Sequence, residues 1–395
     1  MLQKDISEKE GKLFTGRQQY IKQLEEKVSK KSITAVIAPS GFGRTTLLRQ
    51  FAAKNSAFYI DLKKISIPPE NFAVELIGTV CFLSLAKDHS ELSEFMSIER
   101  LKQLKFSKAC EGIISTVDNE LQKIKPDQEL LVKCAFSFAE EFAAEHRKRY
   151  SVILDSFDEI LKLDNFSQIK DASDLFFSTV SKNKNCQFII SSSAVNLLRS
   201  ITKKYSIDTV EMSALSQDET RDLFEKIAGR CDERIAKEVY RLSSGLPLIV
   251  RSMASRFRGE KTSDVQKDLN LLKYILVSEL ADTTSRSYFY CSSLFTGSLN
   301  RARGESLLKA ALKAVSQNRP LRLTEVARLI YRSGPVTKSL LERLVEVDLI
   351  TKAENTFDFS NQVLKLWCRL MFSDIEFDGT PDREQLRSAG AGGLL

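Results

Sequence analysis

Residues 32–48 read Ser32-Ile33-Thr34-Ala35-Val36-Ile37-Ala38-Pro39-Ser40-Gly41-Phe42-Gly43-Arg44-Thr45-Thr46-Leu47-Leu48. A β-branched run that stops at a glycine-rich turn and restarts with leucines is the pattern of strand, loop and helix, the setting a phosphate-binding loop needs. Glycines let backbone N–H groups turn inward toward an anion, and the following helix adds its positive N-terminal end. Against the pattern G-x-x-x-x-G-K-[ST], Ala38 stands for the first glycine and Arg44 for the lysine, while Gly43, Thr45 and Thr46 stand where expected. A guanidinium is a broad planar fork rather than a compact point charge, so phosphate binding survives the change more easily than hydrolysis. The alternative is a strand-to-helix turn that simply needs glycine.

Outward from this stretch, Ala57 to Leu62 is a short apolar run, predicted as a strand beside the first in a parallel sheet. Tyr150 to Asp155 repeats the buried-strand signature and runs into Ser156-Phe157-Asp158-Glu159. An aspartate at the carboxyl end of a parallel strand can hold Mg²⁺ directly or through water, and a following acid can orient the attacking water, which makes Asp155 and Glu159 the catalytic candidates and Thr45 with Asp155 the metal candidates. Ser156 occupies the place of the usual paired glutamate, so Asp158 or Glu159 would substitute; alternatively these acids are solvated or cap the next helix. A further strand, Cys186 to Ile190, ends in Ser191-Ser192-Ser193, whose hydroxyls suit either a γ-phosphate or a helix cap. A fifth strand is predicted around Asp208 to Met212. Strands alternating with helices give a parallel sheet with its ligand crevice at the carboxyl edge. Between Pro69 and about Arg149 the pattern is helical, broken once near Pro126. Upstream, Gly16-Arg17 precedes a helix with Tyr20, Ile21, Leu24 and Val28 inward, a turn that suits either closure over a base or a helix cap.

Residues 230–280 read as helices broken at Gly245-Leu246-Pro247, and 281–318 as more helix with a polar gap at Thr296 to Arg303, expected to be a hinge. From Arg319 the pattern becomes a short helix over Leu323 to Tyr331 capped by Thr324, a turn at Gly334-Pro335, a helix over Val336 to Val347, and a hairpin from Ile350 to Phe359. These spell a winged helix. Arg332, Lys338, Arg343 and Lys352 are its candidates for DNA phosphates, with Glu342 and Glu346 opposing them. The expected division is 1–212 nucleotide-binding α/β domain, 213–300 helical lid, 301–372 winged helix and 373–395 disordered tail.

The chain has 395 residues, 43% hydrophobic and 28% charged, the balance of an ordinary globular protein with two or three cores. A net charge of +7 permits acidic partners without requiring nucleic acid. The seven cysteines are scattered without a C-x-x-C pair, as expected for buried free thiols in a reducing compartment rather than a disulfide frame or zinc site. Both histidines, His89 and His146, sit in polar helical contexts and are expected at the surface. The N-terminus lacks the apolar core of a secretion signal and no stretch is long enough to span a bilayer, so the expectation is a cytoplasmic protein without a membrane partner.

With these pieces placed, the chain resembles the archaeal ATPase family of STAND-type P-loop NTPases, relatives of the AAA+ class. The resemblance rests on Phe14-Thr15-Gly16-Arg17, on Pro39 to Thr46, on the strand ending at Asp155, on Ile189 to Ser193 before Arg199, on Leu215 to Glu219, on Gly245-Leu246-Pro247-Leu248 and on the terminal helices and hairpin. It implies that the loop residues Pro39, Ser40, Gly41, Phe42 and Gly43 with Arg44, Thr45 and Thr46 bind ATP or ADP, that Arg17, Gly245 and Pro247 flank the base, and that the protein is a nucleotide switch, with a protein partner or self-association possible. Ala38, Arg44 and Ser156 depart from the family pattern and point to slow or lost hydrolysis. The run Asp155 to Glu159 looks like the D-G-x-D-E variant of another STAND branch. Two other functions fit the same residues: a DNA-binding protein related to origin-recognition ATPases, and a scaffold that binds no nucleotide.

Overall fold

The computed structural model describes residues 16–55, 57–258, 264–302 and 304–373. The expected tail, the Met1 to Lys12 lead-in and the Phe14-Thr15 pair lie wholly or almost wholly outside these residues. The described chain forms two compact units, one built from the segments up to Ala38 and Arg44–Met212, the other from Pro39–Gly43 and the segments from Ser213 on.

The first unit is an α/β body around a five-stranded parallel sheet of β1 (Ile33–Ile37), β2 (Ala57–Asp61), β3 (Tyr150–Asp155), β4 (Cys186–Ser192) and β5 (Asp208–Glu211), in the order β2-β3-β4-β1-β5. All five residues of β1 and all seven of β4 are buried, as central strands covered on both faces must be. This corrects the expected position of Ala57 to Asp61. It pairs with β3 rather than β1, because β1 already has β4 on one side and β5 on the other.

Ile33, Ala35 and Ile37 alternate onto one sheet face, where they join Val152, Leu154 and Phe188 and the helices Pro69–Leu85, Gln128–Glu145 and Ala172–Val180. Phe176 is the hub of this core, with Phe136, Phe157 and Phe188 edge-on at 5.0, 5.0 and 5.4 Å. Each such pair adds about 0.5–1.5 kcal/mol beyond its buried area. The helical stretch from Pro69 breaks more often than its pattern predicts. Short helices at Leu92–Phe95 and Ile98–Gln103 and a longer one at Lys108–Leu121 lie between Pro69–Leu85 and Gln128–Glu145, the last of which starts where the Asp127 carboxylate accepts from Leu130 N–H at 2.9 Å. Of the two histidines, His89 is exposed, but His146 is half-buried with its ring 4.2 Å from that of Phe142.

The second unit is helical, with a small antiparallel sheet. Gln217–Ala228 opens with a reciprocal Ser216/Glu219 capping box and closes on Gly229 at φ +84°. Glu233–Ser243, Pro247–Phe257, Val265–Ala281, Arg286–Ala302 and Glu305–Gln317 follow. Leu323–Leu329 and Gly334–Glu346 precede the hairpin of β7 (Ile350–Ala353) and β8 (Thr356–Phe359), which with β6 (Leu321–Arg322) gives the order β6-β8-β7. Gln362–Met371 is the last described helix. One continuous core runs from Leu215 to Leu370.

Two local expectations change here. The polar stretch Thr296 to Ala302 is helical, not a hinge, because Ser298, Leu299 and Ala302 are buried on one side of it. The cap of Leu323–Leu329 is Arg322, not Thr324, with Glu325 reaching back to the Arg322 N–H at 2.7 Å.

Candidate functional site

β3 delivers Asp155 to the carboxyl edge of the sheet, level with Asp61 at the end of β2. Leu154 is level with Ile190, which sets Ser191 beside the aspartate. The Asp155 carboxylate is buried and accepts five hydrogen bonds. Oδ1 takes Ser191 Oγ at 2.6 Å, Ser156 N–H at 2.9 Å and Arg44 Nε at 3.2 Å. Oδ2 takes the Tyr59 hydroxyl at 2.8 Å and Thr45 Oγ1 at 2.9 Å. The other arm of the guanidinium, Nη1, donates to the Ala38 carbonyl at 3.1 Å.

Burial is the largest single influence on the Asp155 carboxyl and pushes its pKa up. The Arg44 charge and the hydroxyls of Ser191, Tyr59 and Thr45 together outweigh it and hold the group below its ordinary value. The same contact drives the Tyr59 phenol upward, first through burial and then through the Asp155 charge, so it stays a donor.

Ser156 follows in the left-handed region at φ +60°, a conformation that costs a residue with a Cβ about 1–2 kcal/mol and that glycine adopts freely. Its hydroxyl donates to Asp61 Oδ1 at 3.0 Å. Asp158 accepts from the Ser192 hydroxyl, which also caps Ala194 N–H at 2.9 Å, and Glu159 is paired with Lys162. Thr46 lies in the first turn of Arg44–Lys54. Arg17 is buried at the start of Gln18–Lys30, its guanidinium 5.5 Å from the Tyr20 ring centroid.

The segment Pro39–Gly43 groups with the second unit. Gly41 and Gly43 both stand at φ +85°, a geometry that turns successive amides toward one side. The Tyr290 hydroxyl donates to the Ser40 carbonyl at 2.9 Å and accepts from Asn361 Nδ2 at 2.9 Å. A Cβ on Gly41 would stand 2.9 Å from the Tyr290 ring, and one on Gly43 3.9 Å from Pro247. Phe42 packs against the unit's core. Gly245, at φ +67°, is pressed against Leu215: a Cβ there would meet the Leu215 carbonyl oxygen at 2.3 Å. Its expected place beside a base therefore comes with a packing reason for the glycine.

Tyr59, Tyr290 and Asn361 escaped the sequence reading. Tyr59 sits inside an apolar run and nothing local marks its hydroxyl; the only available signal was its place two residues before a strand end. Of the four cations expected to face DNA, Arg343 instead turns inward, its guanidinium donating to the Ala302 carbonyl with Nε at 3.0 Å, and Lys338 lies 3.8 Å from Glu342.

A carboxylate offers about four lone-pair positions, and Asp155 already meets five donors, one of them a cation. The residues as arranged do not fit direct coordination of Mg²⁺ by Asp155. Among the described residues no group of three or more His, Cys, Asp or Glu side chains is placed to hold a metal, and no helix is long and apolar enough to cross a membrane. All seven cysteines are free and buried.

No protein-family model and no curated protein matches the chain. Among solved structures it is similar to a Walker-type ATPase of Pyrococcus abyssi, at 16% identity over 90% of this chain and 96% of that one, with a TM-score of 0.62. Fainter similarities are to the ORC2 protein of Aeropyrum pernix, solved in ADPNP–ADP complexes, at 11% identity over 89% and 90% with a TM-score of 0.45. A STAND protein of Pyrococcus horikoshii with a tetratricopeptide-repeat sensor matches at 15% over 95% of this chain and 44% of that one, with a TM-score of 0.37. The first likeness shows that the chain shares the fold of that Walker-type ATPase.

Proposed function

We propose that the protein is an ATP- or ADP-binding switch of the STAND type that hydrolyses ATP slowly or not at all. The observation that carries this is the occupancy of Asp155. The cation of the loop and the acid of β3 are spent on each other. In this reading the left-handed glycines Gly41 and Gly43, with the helix that starts at Arg44, bind the phosphates, as a loop of this geometry does. Turnover is poor because Arg44 and Asp155 each hold the other away from its role, while Glu159 is tied to Lys162. Asp155 positions Arg44 and Thr45, and the Thr45 hydroxyl, donating its proton to Asp155, keeps its oxygen lone pairs for a ligand. Gly245 and Pro247 belong to a helical lid, residues 301–372 to a winged-helix domain, and the buried free thiols suit an intracellular setting.

Thermal melts with ADP or ATP, with and without Mg²⁺, test the binding. At a nucleotide concentration of about 100 times Kd the expected gain is about 2.7 kcal/mol. No shift with any nucleotide, in a protein that also shows none with Arg44→Lys, would leave only the scaffold function. Phosphate release by the unsubstituted protein at an ordinary enzymatic rate, about 1 s⁻¹ or faster, would overturn the proposed slow or lost hydrolysis.

A further inference from the structure

The first unit holds a second cavity, of about 480 Å³, at the side of the sheet where β2 ends. That volume lies within the range of about 300–1,000 Å³ usual for small-molecule sites. Its walls are Ile60, Ile65, Phe82, Leu83, Leu92 and Met96. Leu92 is 44% exposed at the mouth, an apolar side chain left open to solvent on a four-residue helix. The wall that carries it is held closely: Gly78, in Pro69–Leu85, lies so near the Phe95 carbonyl that a Cβ would stand 2.0 Å from the oxygen, and the buried Phe95 ring packs edge-on to Phe82 at 5.8 Å.

The polar lining is sorted by charge. Both acids are already engaged, Glu75 by Ser66 N–H at 2.7 Å and Ser66 Oγ at 2.6 Å, Asp61 by Lys63 N–H at 3.2 Å and Ser156 Oγ at 3.0 Å. The Tyr59 hydroxyl is turned to Asp155, and its ring lies 5.2 Å from the Arg49 guanidinium. Lys64 is exposed at the rim. Arg49 and Lys64 line the same chamber, so a ligand with an apolar body and a negative head would meet two cations there.

We propose that this cavity binds a small amphipathic carboxylate, with its alkyl or aromatic body against Phe82, Leu83, Leu92 and Met96 and its carboxylate at Arg49 and Lys64. The test is made without nucleotide, so that its outcome does not depend on the function proposed above. Octanoate is titrated into the full chain by calorimetry, with octanol as the uncharged control. Saturable one-site binding of octanoate is expected, at least about tenfold tighter than octanol. Leu83→Trp, which fills the chamber, should abolish it, and Lys64→Glu, at an exposed position that the fold does not need, should weaken it by about fivefold or more. Absence of octanoate binding, equal binding of octanol, or binding unchanged in both variants would each overturn the proposal. Should Leu83→Trp fail to fold, Lys64→Glu decides alone.

Discussion

Replacing Asp155 by asparagine should damage the first unit more than deleting Arg44, although the two side chains form one pair. The difference follows from which donors can turn round. In Asp155→Asn, one oxygen becomes an NH₂ facing Ser156 N–H, Arg44 Nε, or the hydroxyls of Thr45 and Tyr59. Hydroxyls can rotate and accept; the backbone N–H and the guanidinium cannot. Arg44, with a side chain only 10% exposed, is left charged beside a neutral amide. Removing one partner of a buried pair costs about 3–5 kcal/mol. In Arg44→Ala the carboxylate keeps four of its five donors, so the loss is that of one charge-assisted bond, about 1.5–3 kcal/mol.

Hydrogen exchange at the amides of β3 and β4 at neutral pH reads this unit by itself, without assuming that the whole chain unfolds in one step. A cost for Arg44→Ala equal to or above that for Asp155→Asn, or both below about 1 kcal/mol, would refute the reasoning. The pair also predicts an acid limit. The folded pKa of Asp155 lies below its ordinary 3.8, so its contribution is complete above that value and disappears as pH falls through the folded one. Asp155→Asn should lose less stability on acidification than the unsubstituted protein. Arg44→Ala, by removing the cation that opposes burial, should begin to lose it at higher pH.

Gly41→Ala combines a left-handed backbone with a methyl 2.9 Å from the Tyr290 ring, and should destabilise the second unit by about 1–3 kcal/mol in a thermal melt. Tyr290→Phe should cost about 1–3 kcal/mol, since Asn361 Nδ2 and the Ser40 carbonyl both lose their partner; a melt unchanged in this variant would mean that water replaces the hydroxyl. Gly78→Ala drives a methyl into a main-chain oxygen and should cost about 2–4 kcal/mol, read as faster exchange along Pro69–Leu85.

What could be read from the chain alone was set by how local the signal is. Strand, glycine turn and helix lie within residues 33–54, so β1 and the loop were legible, as were β3 and β4 from unbroken apolar runs. Strand order was not legible: the neighbour of β2 is decided by which strands already flank β1, a matter of long-range pairing. The partners of Asp155 come from residues 44, 45, 59, 156 and 191; four of these stand in stretches that local pattern marks, and Tyr59, inside an apolar run, does not. Arg343 shows the opposite failure. Its charge suggested a solvent-facing role, yet its long stem carries the head inward to cap Arg286–Ala302 at Ala302.

Of Ala38, Arg44 and Ser156, the three departures from the resembled pattern, Arg44 and Ser156 meet at Asp155, while Ala38 contributes a main-chain carbonyl that any residue would supply. Arg44 reaches two acceptors at once, Asp155 through Nε and the Ala38 carbonyl through Nη1. A lysine, with donors on a single atom, cannot span both in that fork geometry. Ser156, in a conformation glycine would adopt freely, offers its N–H to the same carboxylate and its hydroxyl to Asp61. Restoring lysine at position 44 therefore removes the Ala38 contact and loosens the clasp on Asp155 while leaving Thr45, Tyr59, Ser191 and Ser156 in place. Arg44→Lys should consequently keep most of the stability that Arg44→Ala loses, and a rise in nucleotide affinity or phosphate release in that variant alone would identify the clasp, rather than the fold, as what holds the site quiet.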